Sequence, residues 1–420
     1  MVEASIITIG DELLIGQVVD TNSAWIAQEL NKAGIFVKRR VSVGDSWEEI
    51  WKALDEESRH ANIILITGGL GPTSDDITKP LLCKYFNAQM VVNKAALENV
   101  KYLFETIFKR PVTDVNLKQA EVPDVCTVIQ NKRGSAPGMW FEKNGNDGEI
   151  IFISMPGVPH EMKGMMEEVV PMLKNKFVLP VIIHKTLLTA GIGESALAEK
   201  IKDFESALPS TIRLAYLPAS GMVRLRLSTS GYEKEEIVSS IQSHFENLKS
   251  LVNEYLVTDE DEPLEKKIGK LLMAKNKTMA TAESCTGGYI AHLITSHAGA
   301  SKYFKGSVIG YDNSVKENIL MVASQTLQTA GAVSKETVEE MLSGVLKNIR
   351  ADYAIAVSGI MGPDGGTLEK PIGTVWIAAG NSKSVVTQKL NLRFDRMRNI
   401  QLTTVYALNL LRKFIIEMEK

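Results

Sequence analysis

Apolar residues in this chain fall into short unbroken runs. Between them lie longer stretches where apolar residues recur every three or four positions. ASIITI (4–9) is one such run and predicts a buried strand. TNSAWIAQELNKAG (21–34) sets Ala24, Ile26, Ala27 and Leu30 along one side of a helix, with Gly34 where a C-terminal cap belongs. FVKRRVSV (36–43) predicts the next strand. SWEEIWKALDEESRH (46–60) predicts a helix opened by Ser46 and Glu49 as a capping box. NIILITGG (62–69) is a third strand running into glycines. This alternation implies parallel strands with helices on both faces, and ligands at the carboxyl ends of the strands. Those ends are GDELLIG (10–16), VGDS (43–46) and TGGLGPTSDD (67–76).

Helical periodicity returns over 92–120 and about 159–175, where Pro171 should kink or end the helix. The stretch 181–255 reads as a small α+β module. Its MVRLRLS segment alternates like an antiparallel strand with one solvated face. A small RNA-binding-type sheet is the second reading, but no GXXG loop in a basic context accompanies it. The acidic run TDEDEP (258–263) resembles a hinge. A second series follows, with strands at TMATAES (278–284), GSVIGY (306–311), DYAIAVSG (352–359) and GTVWIAAG (373–380), and a last helix from about 394. The expected fold is α/β: two α/β domains with largely parallel sheets, 1–175 and 256–420, joined by an α+β module over 176–255.

Composition narrows the function. The 420 residues are 45% hydrophobic and 23% charged, the balance of a folded protein. The net charge of -3 gives no global basic field, so nucleic acid is not an expected partner. Cys83, Cys126 and Cys285 lie too far apart in sequence for a disulfide framework, and no CxxC pair suggests zinc. The first residues carry no basic n-region, and no stretch of about 20 apolar residues occurs. A cytoplasmic protein without membrane contact is expected.

Two constellations could carry chemistry. In the first, Thr67, Gly68, Gly69 and Gly71 follow a buried strand, where glycines let a backbone approach a phosphate and offer it N–H groups. Asp75 and Asp76 stand just beyond, and Asp11 and Glu12 end the neighbouring strand. Carboxylates beside a phosphate loop suit a bridging Mg²⁺; helix capping is the alternative for each acid singly. The second is AESCTGG (282–288). Ser284 sits on a strand-to-helix turn followed by Gly287 and Gly288, and needs a base from elsewhere. Tyr311 and Lys316 in GYDNSVKEN (310–318) are available, and a lysine serves if its pKa falls. Cys285 is the competing nucleophile, though no histidine is placed beside it.

Over 4–170, GDELLIGQ, TGGLGPTSDD, GSAPGM (134–139) and MPGVPHEM (155–162) resemble the N-terminal part of the competence-damage inducible CinA family, itself similar to molybdopterin-binding domains. The resemblance implies metal-dependent hydrolysis of ADP-ribose to AMP and ribose 5-phosphate. It places a divalent metal on Asp75, Asp76 and Glu12, with Glu161 a further candidate. Over 264–415, AESCTGG, GAVS (331–334), AVSGIMGPDGG (356–366) and EKPIGTVW (369–376) resemble the family's C-terminal domain, similar to nicotinamide mononucleotide deamidases. This implies cofactor-free hydrolysis of the carboxamide, with Ser284 as nucleophile and Tyr311 and Lys316 as its activating pair. Ser358, Gly359, Gly362, Gly365 and Gly366 would hold ribose and phosphate. A pyridinium substrate would supply the second cation that lowers a lysine pKa. The expected whole is a homodimeric enzyme of pyridine-nucleotide salvage. The alternatives are a molybdopterin-type adenylyl-transfer protein and a non-enzymatic factor in competence or recombination.

Overall fold

The computed structural model describes residues 2–73, 75–145, 148–219 and 221–418. The chain divides into two compact units, Met1–Ile182 with Ser230–Lys234, and Ile183–Thr229 with Glu235–Lys420.

The first unit is built on β1 (Glu3–Ile9), β2 (Phe36–Val43), β3 (Ile63–Thr67), β4 (Met90–Val92), β5 (Glu121–Pro123), β6 (Thr127–Ile129), β7 (Gly138–Gly145) and β8 (Gly148–Met155). Six of these form one sheet in the order β2-β1-β3-β8-β7-β6. The pairs β1–β2, β1–β3 and β3–β8 are parallel, whereas β7 and β6 run antiparallel at one edge. The inner strands β1 and β3 bury both faces, as their unbroken apolar runs require, whereas the edge strand β2 is half-buried and exposed in turn. Ala4, Ile6, Ile63, Leu65, Ile151 and Ile153 face the helices Thr21–Lys32 and Pro159–Lys176. Ile7, Ile9, Ile64, Ile66 and Phe152 face Trp47–Glu57 and Thr78–Tyr85.

Three local expectations change here. Glu49 accepts from the Gly44 N–H at 3.1 Å, and Ser46 makes no side-chain cap, so the capping box does not form. Helix Pro159–Lys176 runs through Pro171, because Met162, Met165, Met166, Val169 and Leu173 are buried along one side and outweigh one lost backbone bond. The helical stretch expected over 92–120 breaks into Lys94–Lys101, a π-helical turn Tyr102–Ile107 and a short Asp114–Lys118.

The second unit holds two sheets. β9 (Val181–Ala190), β10 (Arg213–Ala219), β11 (Met222–Gly231) and β12 (Leu256–Thr258) pair in the order β10-β11-β9-β12. β11 is antiparallel to β10, and its alternation buries Val223, Leu225 and Leu227 under the helices of this module. β13 (Met279–Glu283), β14 (Phe304–Ile309), β15 (Tyr353–Gly359), β16 (Thr374–Gly380) and β17 (Val385–Asn391) follow the order β14-β13-β15-β16-β17. The first three are mutually parallel, and β16 and β17 are antiparallel. In both large sheets, then, a parallel core ends in two antiparallel strands. Ala280, Ala282, Ala354, Ala356 and Ala378 line one face, small enough to admit helix Lys335–Ile349 closely. Helices Leu264–Ala274, Tyr289–Thr295 and Arg396–Glu417 cover the other.

The acidic segment 258–263 is held rather than free. Lys249 pairs with Asp259 at 2.5 Å, Lys270 with Glu260 and with Glu262 at 2.8 Å, and Arg224 with Asp261 at 3.5 Å.

Candidate active site

In the second unit, the carboxyl ends of β13 and β15 open onto a cavity of about 210 Å³. Ser284, Cys285, Tyr311, Asn313, Lys316 and Arg396 line it, together with Ser358, Gly359 and Met361. Ser284 follows the last residue of β13, and its N–H donates to the Val357 carbonyl of β15 at 3.0 Å. The Gly287 N–H closes the turn onto the Ser284 carbonyl at 3.1 Å. Gly287 and Gly288 hold φ of 60° and 94°, which lets the chain reverse into helix Tyr289–Thr295. They shape the turn on which Ser284 and Cys285 reach the cavity.

Lys316 stands on helix Asn313–Asn318, capped by Asp312. It is 2% exposed, and its ammonium donates to the Tyr311 carbonyl at 3.2 Å. Burial lowers its pKa, opposed by the charge of Asp312. Cys285 is also buried, and burial pushes its thiol up to about 12. A thiol so protonated is a poor nucleophile.

Tyr311 lines the same cavity as Ser284 and Lys316. It is 62% exposed, and its hydroxyl accepts from Arg396 Nη2 at 3.0 Å. Arg396 also donates to the Gly362 carbonyl at 2.7 Å. Sequence reading missed this arginine. It lies at the start of a helix capped by Asp395, and nothing in its local pattern distinguishes it from other helix-start cations. Ser358 lines the cavity and donates to the Ala332 carbonyl at 2.6 Å. Gly365 and Gly366 instead line an adjoining open groove with Asp364, Thr367 and Ile372.

The first unit has a smaller cleft of about 110 Å³ at the carboxyl ends of β1 and β3, lined by Glu12, Asp20, Asn22, Thr67 and Gly157 among others. Asn22 donates to the Gly157 carbonyl at 2.7 Å, while its Oδ1 is buried without a partner. The glycine loop behaves differently from a phosphate cradle. Gly68 N–H donates to the Met155 carbonyl, and Gly71 N–H to Asp76 Oδ1. Gly68 and Gly69 are needed for space: a Cβ would lie 2.3 Å from the Ile9 carbonyl oxygen and 2.1 Å from the Thr78 hydroxyl.

Of the expected metal ligands, Asp76 spends its hydrogen bonds within its own loop. The Asp76 carboxylate accepts from Gly71, from the Thr73 N–H at 2.9 Å and from the Thr73 hydroxyl, closing its own loop. Asp75 is exposed. Burial raises the Asp45 pKa, and the charges of Asp11, Glu12 and Asp75 add to the shift, so these acids share a neighbourhood. Among the described residues no three His, Cys, Asp or Glu side chains converge to hold an ion. The residues present do not fit a protein-built metal centre. Glu161 lies apart, half-buried and accepting from Asn131 at 2.6 Å, with its pKa raised by burial. Among the described residues no helix is long and apolar enough to cross a membrane.

Comparison with known proteins covers the whole chain. The model of the CinA C-terminal domain matches residues 261–415, that of a probable molybdopterin binding domain 5–175, and that of the damage-inducible protein CinA KH domain 184–258. The last of these falls on the α+β module, for which a small RNA-binding-type sheet was the second reading. A CinA-like protein of Cytophaga hutchinsonii is 48% identical over 417 residues, covering 99% of both chains. Another from Flavobacterium psychrophilum is 44% identical with the same coverage. The crystal structure of the competence/damage inducible protein CihA from Agrobacterium tumefaciens is 36% identical, covering 36% of this chain and 92% of its own at a TM-score of 0.35.

Proposed function

This chain belongs to the CinA family, and from that premise we propose that its C-terminal domain hydrolyses the carboxamide of nicotinamide mononucleotide to a carboxylate, releasing ammonia. The observation that carries the reading is Lys316: a buried amine, depressed in pKa by that burial, in one small cavity with a serine on a strand-to-helix turn. A neutral Lys316 accepts the Ser284 proton as Oγ attacks the carboxamide carbon. The N–H groups of Cys285 and Thr286, which among the described residues close no turn, are assigned to the oxyanion. Lys316 then returns the proton to the departing ammonia, leaving an acyl-serine. Water, deprotonated by the same amine, releases the acid. Arg396 supplies a fixed positive charge at the cavity edge for the phosphate monoester.

The first domain is proposed to hydrolyse ADP-ribose to AMP and ribose 5-phosphate. The polar lining of the cleft at the strand ends, with Glu12, Asp20, Asn22 and Thr67, supports a polar ligand there. No step is assigned to a metal, since the carboxylates do not assemble a site for one. The two substrates share an origin in NAD breakdown, and a cytoplasmic homodimer is the proposed working form. The test is product analysis with both substrates on the full chain. Ammonia release that persists in Ser284→Ala would overturn the deamidase reading.

A further inference from the structure

Glu283 is the residue immediately before the proposed nucleophile, and it is fully buried. Among the described residues no lysine, arginine or histidine pairs with it. Five donors reach its carboxylate instead. Oε1 accepts from the Thr281 hydroxyl at 3.0 Å, the Ala291 N–H at 2.9 Å and the Ser307 hydroxyl at 3.4 Å. Oε2 accepts from the Thr286 hydroxyl at 2.8 Å and the Ile290 N–H at 3.0 Å. These donors come from β13, β14, the turn itself and the helix that follows.

A buried anion without a counter-ion persists only when its hydrogen bonds are satisfied. Ordinary helix capping would not need one placed here. The N-cap position is Gly288, which has no side chain, and the helix starts six residues after Glu283. The carboxylate therefore reaches back across the whole turn to take the first helical N–H groups. Ser284 and Cys285 lie inside the loop so closed.

We propose that Glu283 is the positioning residue of this site, clamping strand, turn and helix so that the Ser284 hydroxyl is held toward the cavity. The inference rests on Ser284 being the nucleophile.

The test uses the full chain with nicotinamide mononucleotide, comparing Glu283→Gln, Thr286→Val and Ser284→Ala. Glutamine keeps the shape but turns an NH₂ toward groups that are themselves donors. Glu283→Gln should lower kcat by about tenfold to a hundredfold, with KM within about threefold, because a displaced nucleophile costs rate rather than binding. Thr286→Val removes one donor and keeps the charge; it should lower kcat less, again at constant KM. A fall in melting temperature with wild-type kcat would mark a purely structural role and overturn the proposal. So would a rise in KM at unchanged kcat. If Glu283→Gln does not fold, Thr286→Val and Ser307→Ala decide the matter by the same criterion. An inactive Ser284→Ala beside a fully active Glu283→Gln refutes the clamp alone. An active Ser284→Ala refutes the nucleophile, and the clamp with it.

Discussion

The adjacent Ser284 and Cys285 differ in what burial does to them. A hydroxyl can attack as its proton leaves, whereas a thiol needs its thiolate, and the apolar surroundings of Cys285 hold that form back. Cys285→Ala should therefore keep most of the ammonia release, and Ser284→Ala should abolish it. Lys316→Ala should slow the reaction by roughly 10²–10⁴-fold, the range for loss of a general base. The pH profile carries the sign of the lysine shift. The base works neutral, so the rate is present above its pKa and lost as pH falls through it. Burial places that limb below the ordinary lysine value of 10.5. Asp312 opposes the shift, so Asp312→Asn should move the limb to still lower pH in a rate profile. A limb that moves upward would remove Lys316 as the titrating group.

At the scale of elements, the close packing of helix Lys335–Ile349 reverses a usual rule. Alanine in place of a mid-helix glycine ordinarily stabilises by about 1 kcal/mol. Gly344 is an exception, because a Cβ there would lie 1.8 Å from the Leu320 carbonyl oxygen. Gly344→Ala should destabilise by about 1–3 kcal/mol in denaturant unfolding, as overpacking against backbone does. A stabilised variant would show that this helix can shift away from the chain around Leu320. The same geometry explains Gly34, whose φ of 92° and close approach to the Pro180 carbonyl both demand glycine. Sequence reading placed a cap there; the neighbour that enforces it is 146 residues away in the chain.

At the scale of the molecule, 183–229 and 235–258 are bound into the second unit. β12 pairs antiparallel with β9, and Leu188, Ala190 and Val257 belong to the same apolar cluster as Ile268, Leu408 and Leu411. A fragment beginning near Glu254 loses β9 and exposes that surface. It should melt well below a fragment beginning at Ile183, with deamidation as the readout of a native site. Equal melting temperatures would show that the β9 contacts add nothing. Chelation is a second whole-molecule test. Ammonia release should be untouched by EDTA, since every group assigned to that reaction is a side chain or backbone amide.

The strand–helix alternation and the two glycine-bearing turns were legible in the sequence, because period and turn chemistry are local properties, and Ser284 and Lys316, singled out by motif, line one cavity. TGGLGPTSDD showed the limit of that reading. Glycines and acids at a strand end look alike whether they hold a ligand or hold each other, and here Gly71 and Asp76 are partners. The antiparallel strands at the edge of each large sheet were hidden for a similar reason, as an apolar run does not record the direction of its neighbour. Arg396 and Tyr311 are 85 positions apart and meet only in the folded chain. Glu283 reads as an ordinary strand end until its five donors are assembled from two strands, a turn and a helix. Local order sets which groups exist and on what elements; only packing decides which hydrogen-bond capacity is already spent and which is left for a substrate.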